Sequence, residues 1–549
     1  MQMQMLARAY HVKWTVAAGK RETIDKLVEQ LDGKYVEYVK NPRLAEADPE
    51  TWNADWFGLG PSGDVLRLIA TEVQPLLDQP IAGLPDGSPL VTRRVGYADM
   101  LVACRDWHRR HRRLYTNQSM INDLYGIYLA NRGVAVIDPK RALSEDDAKR
   151  YLYESVGLQP WLDSDPGGDG APEVAGRKNW SVGPNYMQLT AKGLTRELGY
   201  VGSYGEVIDW VVAIYNATRP TPDAPGDERI RAQLIKIAKA RSIFRYPGVD
   251  ADGHRAMFLE STVGWRDTHY PGDVTYAQRS TWDAGPLEAA AVTGDRELLG
   301  YAAQMLDDNQ FFDSQRLRME NTGLRVTAGL LATPDSYDAI VSRPRTGAKE
   351  PRLPMSPGQP DTIFSDEEDG VVAIKHGDDV LYASLYYRAR FGINRLARVH
   401  LITSTIERDA TVWLDDVKFD DSGMVYHRDG RVNEAQTTRH EKNLKGIEQA
   451  LEGETMPIAK IPDGIAFKPG QENVYAGKGT FYVLRYGDYL LAMNMTTDRT
   501  FDFTVPSDAP AHARDLVNKQ PIGLTPGQKI SVGPRSTCVL WLGQSTEQR

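Results

Sequence analysis

From the start to about residue 335, apolar positions recur mostly with a helical period. Ile121, Leu124, Tyr125, Tyr128 and Leu129 stand at i, i+3, i+4, i+7 and i+8, the stripe of an amphipathic helix. Asn117 lies one turn earlier on the same stripe. Val207, Trp210, Val211, Ile214 and Tyr215 form a second stripe, and Leu298, Leu299, Ala302, Met305 and Leu306 a third that follows TGD, a natural N-cap region. Further helices are expected near 21–31, 63–78, 144–156, 228–242, 286–293 and 323–332. Many helices in succession without strands between them predict a packed helical array, either a solenoid or a closed toroid.

Residues 342–361, SRPRTGAKEPRLPMSPGQPD, are crowded with Pro, Gly and charge and read as a linker. Beyond it the period changes. VVAIK (371–375), VLYASLYY (380–387), ATVWL (410–414), TFYVLRY (480–486), DYLLAMNM (488–495), FDFTV (501–505) and STCVLWL (536–542) are short, β-branched and aromatic, the signature of strands. Gly487 leaves room only for a tight turn between two of them, which predicts a hairpin. The C-terminal third therefore reads as an antiparallel β-sandwich.

A chain of 549 residues needs at least two cores. Its 65 basic and 74 acidic side chains leave a net charge of −9, which argues against a duplex-binding surface. No window approaches the roughly 18 apolar residues of a membrane span, and the opening MQMQMLARAYHVKWTVAAGK has no long apolar signal region. A secreted or periplasmic location is expected if a leader has been removed, and a cytoplasmic one otherwise. Cys104 and Cys538 are the only thiols, too few for a disulfide framework or a cysteine zinc site. Chemistry is left to His, Tyr, Asn, Arg and the carboxylates.

Three stretches concentrate such residues. GWRDTHYPGDVTYAQRSTWDAG (264–285) carries Arg266, His269, Tyr270, Tyr276, Arg279 and Trp282, and Pro271-Gly272-Asp273 makes it largely loop. RKNWSVGPNYMQL (177–189) offers Trp180 as a flat face for a sugar ring and Asn185 and Tyr186 as hydroxyl partners. WHRRHRRLYTNQSM (107–120) contains His108, His111, Tyr115, Asn117 and Gln118 among arginines expected on a solvated helix face. Asp267, Asp273 and Asp283, with Asp209 and Glu260, are candidate acids and bases for glycoside hydrolysis. FSDEEDG (364–370) is either a calcium-binding run of oxygen ligands or a solvated turn leading into a strand. HExxH, P-loop, GxSxG and dinucleotide fingerprints are missing from any convincing context.

The order of parts, a helical region carrying NW…GP, then AMFLEST leading into THYPGDVTY, then a linker and a β region, resembles polysaccharide lyases of the α/α-toroid plus β-sandwich type, such as the chondroitin, hyaluronate and xanthan lyases. The resemblance implies a toroid over 1–340, a linker over 341–362 and an antiparallel β-sandwich over 363–549. It implies Trp180 as a sugar platform, His269 and Tyr276 as the catalytic His and Tyr, and Tyr270 as the alternative Tyr. The His-to-Tyr spacing is shorter than the family's usual one. The family's carboxylate-neutralising Asn falls between the Trp and His/Tyr segments, whereas Asn117 precedes both. β-Elimination at a uronic acid requires that the carboxylate charge be offset while a base takes the neighbouring proton and an acid protonates the leaving oxygen. Asn117 with Arg266 is expected at the carboxylate, His269 or Tyr276 as base, and Tyr276 or Tyr270 as acid; Trp180, Asn185, Tyr186, Arg279 and Trp282 complete substrate binding. Arg177, Lys178, Arg266 and Arg279 supply local positive charge for such a substrate. The expected partner is a uronate-containing oligo- or polysaccharide, without nucleic acid or membrane span. No cofactor is expected, with calcium as the one alternative. A toroidal glycoside hydrolase, a related uronate lyase family and a non-catalytic carbohydrate-binding protein remain open readings.

Overall fold

The computed structural model describes residues 2–46, 57–162, 182–264, 285–344, 347, 350–427 and 454–543, apart from 198, 203–206, 222, 251, 309, 321–328, 388, 390 and 472. Helices dominate up to residue 341: α1 (Gln2–His11), α2 (Arg21–Lys40), α3 (Gly60–Leu68), α4 (Ala70–Val73), α5 (Arg93–Arg110), α6 (Thr116–Ile121), α7 (Ala130–Ile137), α8 (Glu145–Ser155), α9 (Ile208–Ala217), α10 (Glu228–Ile243), α11 (Gly285–Thr293), α12 (Arg296–Leu306), α13 (Gln310–Glu320) and α14 (Gly329–Val341). Polar caps start several of them. Thr92, Ser144, Asp227 and Asp295 each accept a backbone amide of the first turn of α5, α8, α10 and α12.

The helical region is not free of strands. Between α10 and α11 an antiparallel pair forms from β1 (Arg245–Val249) and β2 (Arg255–Leu259), and β2 includes most of the AMFLEST run. The stripe at 121–129 also departs from expectation. Residues Asn122–Leu129 form a π-helix between α6 and α7. Its cause is close backbone packing: a Cβ on Gly60 would overlap the Tyr125 carbonyl, one on Gly63 the Leu129 carbonyl, and one on Gly126 the His108 ring. Glycine at these three points lets α3 and α5 press onto the widened turn.

The helical region has two apolar cores. One gathers α1, α2, α3, α5 and α7 around Leu27, Leu31, Val65, Leu101 and Val134. The other gathers the π-helix with α8 to α12 around Leu124, Tyr128, Val211, Leu234, Ala289 and Ala302. α1 packs against α3 and also touches α14. The Trp14 indole N–H, just past α1, donates to Asp335 Oδ1 of α14 at 3.1 Å. The first and last helices of the region are therefore neighbours in space.

Strands follow. β3 (Thr362–Asp366), β4 (Val371–His376), β5 (Asp379–Ser384), β6 (Leu396–Ile402) and β7 (Glu407–Trp413) form a five-stranded antiparallel meander in chain order. A six-stranded sheet has the order β15-β14-β17-β12-β11-β8, with β8 (Asp416–Lys418), β11 (Phe481–Tyr486), β12 (Tyr489–Asn494), β14 (His512–Asp515), β15 (Gln520–Gly523) and β17 (Ser536–Trp541). β9 (Asp421–His427) pairs with β10 (Thr455–Ala459), and β13 (Phe501–Thr504) with β16 (Lys529–Val532). Each run read as a strand from sequence contains a strand here. The β11–β12 hairpin turns through Gly487, which sits at φ 56°, a conformation that favours glycine. Among the described residues no helix is long and apolar enough to cross a membrane.

The two regions share apolar cores. Leu114, Trp161, Val182, Tyr186 and Val201 of the helical side pack with Val372, Leu381, Val399, Leu484 and Leu491 of the sheets. Tyr200, Phe244, Tyr246 and Phe258 pack with Val371, Val380 and Tyr382.

The glycine contacts define a stability test. Gly60→Ala should destabilise the chain by about 2 kcal/mol or more, because the new methyl meets backbone on the π-helix. Gly33→Ala, in mid-α2 with open space around it, should instead stabilise by about 0.5–1 kcal/mol. Urea denaturation of both variants reads the contrast, and equal effects would remove the packing argument.

Candidate functional site

The described flanks of all three chemistry-rich stretches meet on the sheet side of the helical region. Thr116 Oγ1 donates to Gln188 Oε1 at 3.1 Å and to the Arg196 carbonyl at 2.7 Å, and Tyr186 donates to that same carbonyl at 3.2 Å. Gly264, the last described residue before the 265–284 segment, pairs with Val201 of the same apolar core. The loop that leads into α6 is fixed by a buried ion cluster. Arg112 holds Asp123 at 2.6 Å and Glu154, and its guanidinium lies 5.1 Å and 5.0 Å from the Tyr151 and Trp161 rings. Arg112 and Arg113 are buried rather than set on a solvated face; ion pairing in the interior replaces hydration for Arg112.

At this seam lies a cavity of about 400 Å³ lined by Asn185, Tyr186, Arg196, Glu368, Lys460, Tyr475, Lys478 and Arg535, among others. Four cations, Arg196, Lys460, Lys478 and Arg535, line it together with one carboxylate, Glu368. Arg196 pairs with Glu368 at 2.5 Å, and Arg535 approaches the same oxygen at 3.8 Å. Lys478 donates to the Glu368 carbonyl at 2.9 Å and lies 5.1 Å over the Tyr386 ring. Its loop is held rigidly, since a Cβ on Gly477 would overlap the Ala389 carbonyl and one on Gly479 would crowd Lys418 and Tyr482.

Glu368, which lines the cavity, belongs to the acidic turn 366–369. Asp366, Glu367 and Asp369 are buried, so the expected solvated turn is corrected. Neighbours satisfy most of the turn: Lys192 reaches Glu367 at 2.7 Å, the Glu368 and Asp369 amides donate to Asp366 Oδ1 at 2.9 and 3.0 Å, the Ala191 amide donates to Glu368 at 2.6 Å, and Arg196 covers Glu368. Burial and the nearby Asp366 raise the Asp369 carboxyl, while burial lowers the Lys478 amine. Among the described residues no group of three or more His, Cys, Asp or Glu side chains is placed to hold a metal ion.

A second polar group sits inside the helical region. Asp64 of α3 accepts from Gln4 at 2.5 Å and pairs with Arg67 at 2.7 Å and Arg8 at 3.3 Å. Burial would raise its carboxyl, but Arg67 and Arg8 pull it down to about 2. Arg8 also feels Tyr125 of the π-helix and Glu288 of α11. Burial pushes the Tyr125 phenol up to about 12 against the pull of Arg8. Tyr125, Phe57 and Trp210 form a ring cluster, with centroids 4.7 Å apart for Phe57–Tyr125, 6.2 Å for Phe57–Trp210 and 6.4 Å for Tyr125–Trp210. Val207, which leads into Asp209 and Trp210, is buried at φ 51°, a left-handed conformation that costs a β-branched residue about 1–3 kcal/mol. Gly285, the first described residue after the 265–284 segment, packs on the Asp209 backbone.

The sequence-read residues divide accordingly. Asn185 and Tyr186 line the seam cavity, but the Tyr186 ring is buried with its hydroxyl on a carbonyl, so it acts as a wall. Asn117 is half-buried in the first turn of α6, next to Thr116, with Oδ1 accepting the Gln118 amide at 2.8 Å; it does not line the cavity. Asp209 is half-buried at the start of α9. Glu260 is no exposed acid: it is fully buried, accepts the Thr262 amide, the Thr262 hydroxyl and the Val263 amide, and is bonded by His400 Nδ1 of β6. Trp180, Arg177, Lys178, Arg266, Asp267, His269, Tyr270, Asp273, Tyr276, Arg279, Trp282 and Asp283 lie outside the described residues. Arg196, Lys478, Arg535, Arg8 and Trp210 were not singled out by sequence. Only the Gly-Lys-Gly at 477–479 carried a local signal, a lysine between two residues that permit close approach. Comparison with known protein families, curated proteins and solved structures finds no match for this chain.

The Glu260–His400 contact crosses the seam, with Glu407 3.3 Å from the other imidazole nitrogen. Despite burial, Glu260 raises the His400 imidazole to about 9. The folded value exceeds the usual 6.5, so this contribution is complete below about pH 6.5 and disappears as pH rises towards 9; an elevation of this size is worth about 3 kcal/mol. Thermal melts across that window should show wild type losing stability relative to Glu260→Gln as pH rises. Parallel curves would refute the charged pair.

Proposed function

We propose that this chain is a lyase that cleaves a uronic-acid-containing glycan by β-elimination, on a helical toroid joined to an antiparallel β-sandwich. One observation carries the reading: the seam cavity sets the Asn185 amide among Arg196, Lys460, Lys478 and Arg535. An amide among cations is what a uronate carboxylate requires for its charge to be offset as the neighbouring C–H acidifies. The cavity's size falls within the usual span for small ligands, about 300–1,000 Å³. Contact between the first and last helices favours a closed ring over an open solenoid.

In this reading Asn185 replaces Asn117 at the carboxylate, because Asn185 shares the cavity with the cations and also falls in the family's order, after Trp180 and before His269. The base takes the proton at C5, the C–H electron pair forms the C4–C5 double bond, and the C4–O bond breaks. The leaving oxygen takes a proton from the acid. His269 or Tyr276 serves as base and Tyr276 or Tyr270 as acid, with Arg266 assisting at the carboxylate and Trp180, Arg279 and Trp282 holding flanking sugars. Asp209 and Glu288, on the packed helices α9 and α11, favour the hydrolase reading as the second choice.

Incubation with a panel of uronate-containing polysaccharides separates the two. Lyase action yields an unsaturated uronate that absorbs in the near ultraviolet, whereas hydrolysis yields reducing ends alone. Asn185→Ala should lower kcat/KM by about 10²- to 10³-fold, and Tyr276→Phe should abolish turnover with the fold retained. Reducing ends without absorbance would overturn the lyase, and an Asn185→Ala variant with wild-type rates would overturn the carboxylate assignment.

A further inference from the structure

The seam cavity leaves the second polar group, inside the helical region, without a task. Its composition, aromatic rings beside planar polar groups, is that of a sugar-binding surface. Three rings from three separate segments pack edge-to-face or tilted, and two of them, Phe57 and Trp210, are only partly buried. Ring faces of this kind stack on the C–H face of a pyranose. The Trp210 indole N–H is shielded from water and has no hydrogen-bond partner among the described residues. A buried donor without an acceptor is rare in a folded chain and fits a group that a ligand hydroxyl completes. Beside the rings stand planar polar groups suited to sugar hydroxyls: the Arg8 guanidinium, 27% exposed, and the half-buried Asp209 carboxylate.

This group is also built at conformational expense. Tyr125 rides on a π-helix, a form concentrated at functional sites, and Trp210 follows the left-handed Val207. Arg8 is held by Asp64, and Asp64 in turn by Arg67 and Gln4, so the polar rim is ordered before any ligand arrives.

We infer that Phe57, Tyr125 and Trp210, with Arg8 and Asp209, form a second glycan-binding subsite that stacks on a pyranose ring and donates the Trp210 indole N–H to one of its hydroxyl oxygens. The inference rests on the proposed function only in taking a glycan as ligand. It adds that the substrate is gripped within the helical region as well as at the seam, so affinity grows with chain length.

Calorimetric titration of the full chain with uronate-containing oligosaccharides of increasing length tests this, using the limit digest wherever the chain cuts them. Trp210→Ala should weaken binding of the longer oligosaccharides about tenfold and leave the shortest unchanged. Trp210→Phe, which keeps a ring but loses the N–H, should weaken it about threefold. Lys478→Met should weaken short and long alike. Wild-type affinities in both Trp210 variants, with Lys478→Met impaired, would overturn the subsite and leave the seam reading standing. The reverse pattern would support the subsite and remove the seam reading. Equal loss for all lengths in Trp210→Ala together with a lowered melting temperature would mark a packing role and end the inference. A wild-type chain that binds none of the series would overturn the inference together with the glycan ligand it assumes.

Discussion

Buried carboxylates cannot remain charged without cations beside them, and the turn 366–369 imposes that demand where the helical region meets the sheets. Lys192 and Arg196 answer it from the helical side, Lys478 and Arg535 from the sheet side. Because two of these cations come from the helical region and the acids from the sheet region, the turn is not electrostatically complete within the sheet region alone. Loop 182–196 is pinned against the sheet by this requirement, and Asn185 is carried with it. The cavity is thus what remains between charges that had to be matched.

The same logic separates Asp369 from its neighbours. Glu367 and Glu368 have cations at hydrogen-bonding distance, whereas the Asp369 carboxylate has no hydrogen-bond partner among the described residues and lies deeper, 1% exposed. Desolvation favours its neutral form, and desolvation favours the neutral form of Lys478 as well. By contrast, the Arg112–Asp123–Glu154 cluster is closed on all sides and serves only to fix the approach to α6.

Much of the architecture was legible because periodicity reports burial directly. The stripes at 207–215 and 298–306 became α9 and α12, and the alternating runs after 370 became paired strands. The π-helix was not legible, since its stripe satisfies a helical template and its cause is contact with Gly60 and Gly63 of another helix. The β1–β2 pair was missed as a pair because its partner strand, RYPGV, contains Pro and Gly. At the site, Asn185 was found from its aromatic surroundings, but the cations around it come from positions 196, 460, 478 and 535, which only folding brings together. Trp210 was read as one more apolar position, because a stripe cannot tell a packed indole from one with an unanswered N–H. The arginines after α5 and the acids at 366–369 look solvated in sequence because charge patterns do not reveal partners distant along the chain.

The contact of Trp14 with Asp335 joins residues 321 positions apart. A contact between the first and last helices of the region raises contact order, and loop-closure entropy opposes it until the intervening helices have packed. During synthesis α1 emerges long before α14 exists, so its apolar face must either wait uncovered or settle on α3 first. The early α1–α3 contact, with Gln4 and Arg8 on Asp64, makes the second course available and turns the N-terminal helices into a foundation on which the remainder assembles.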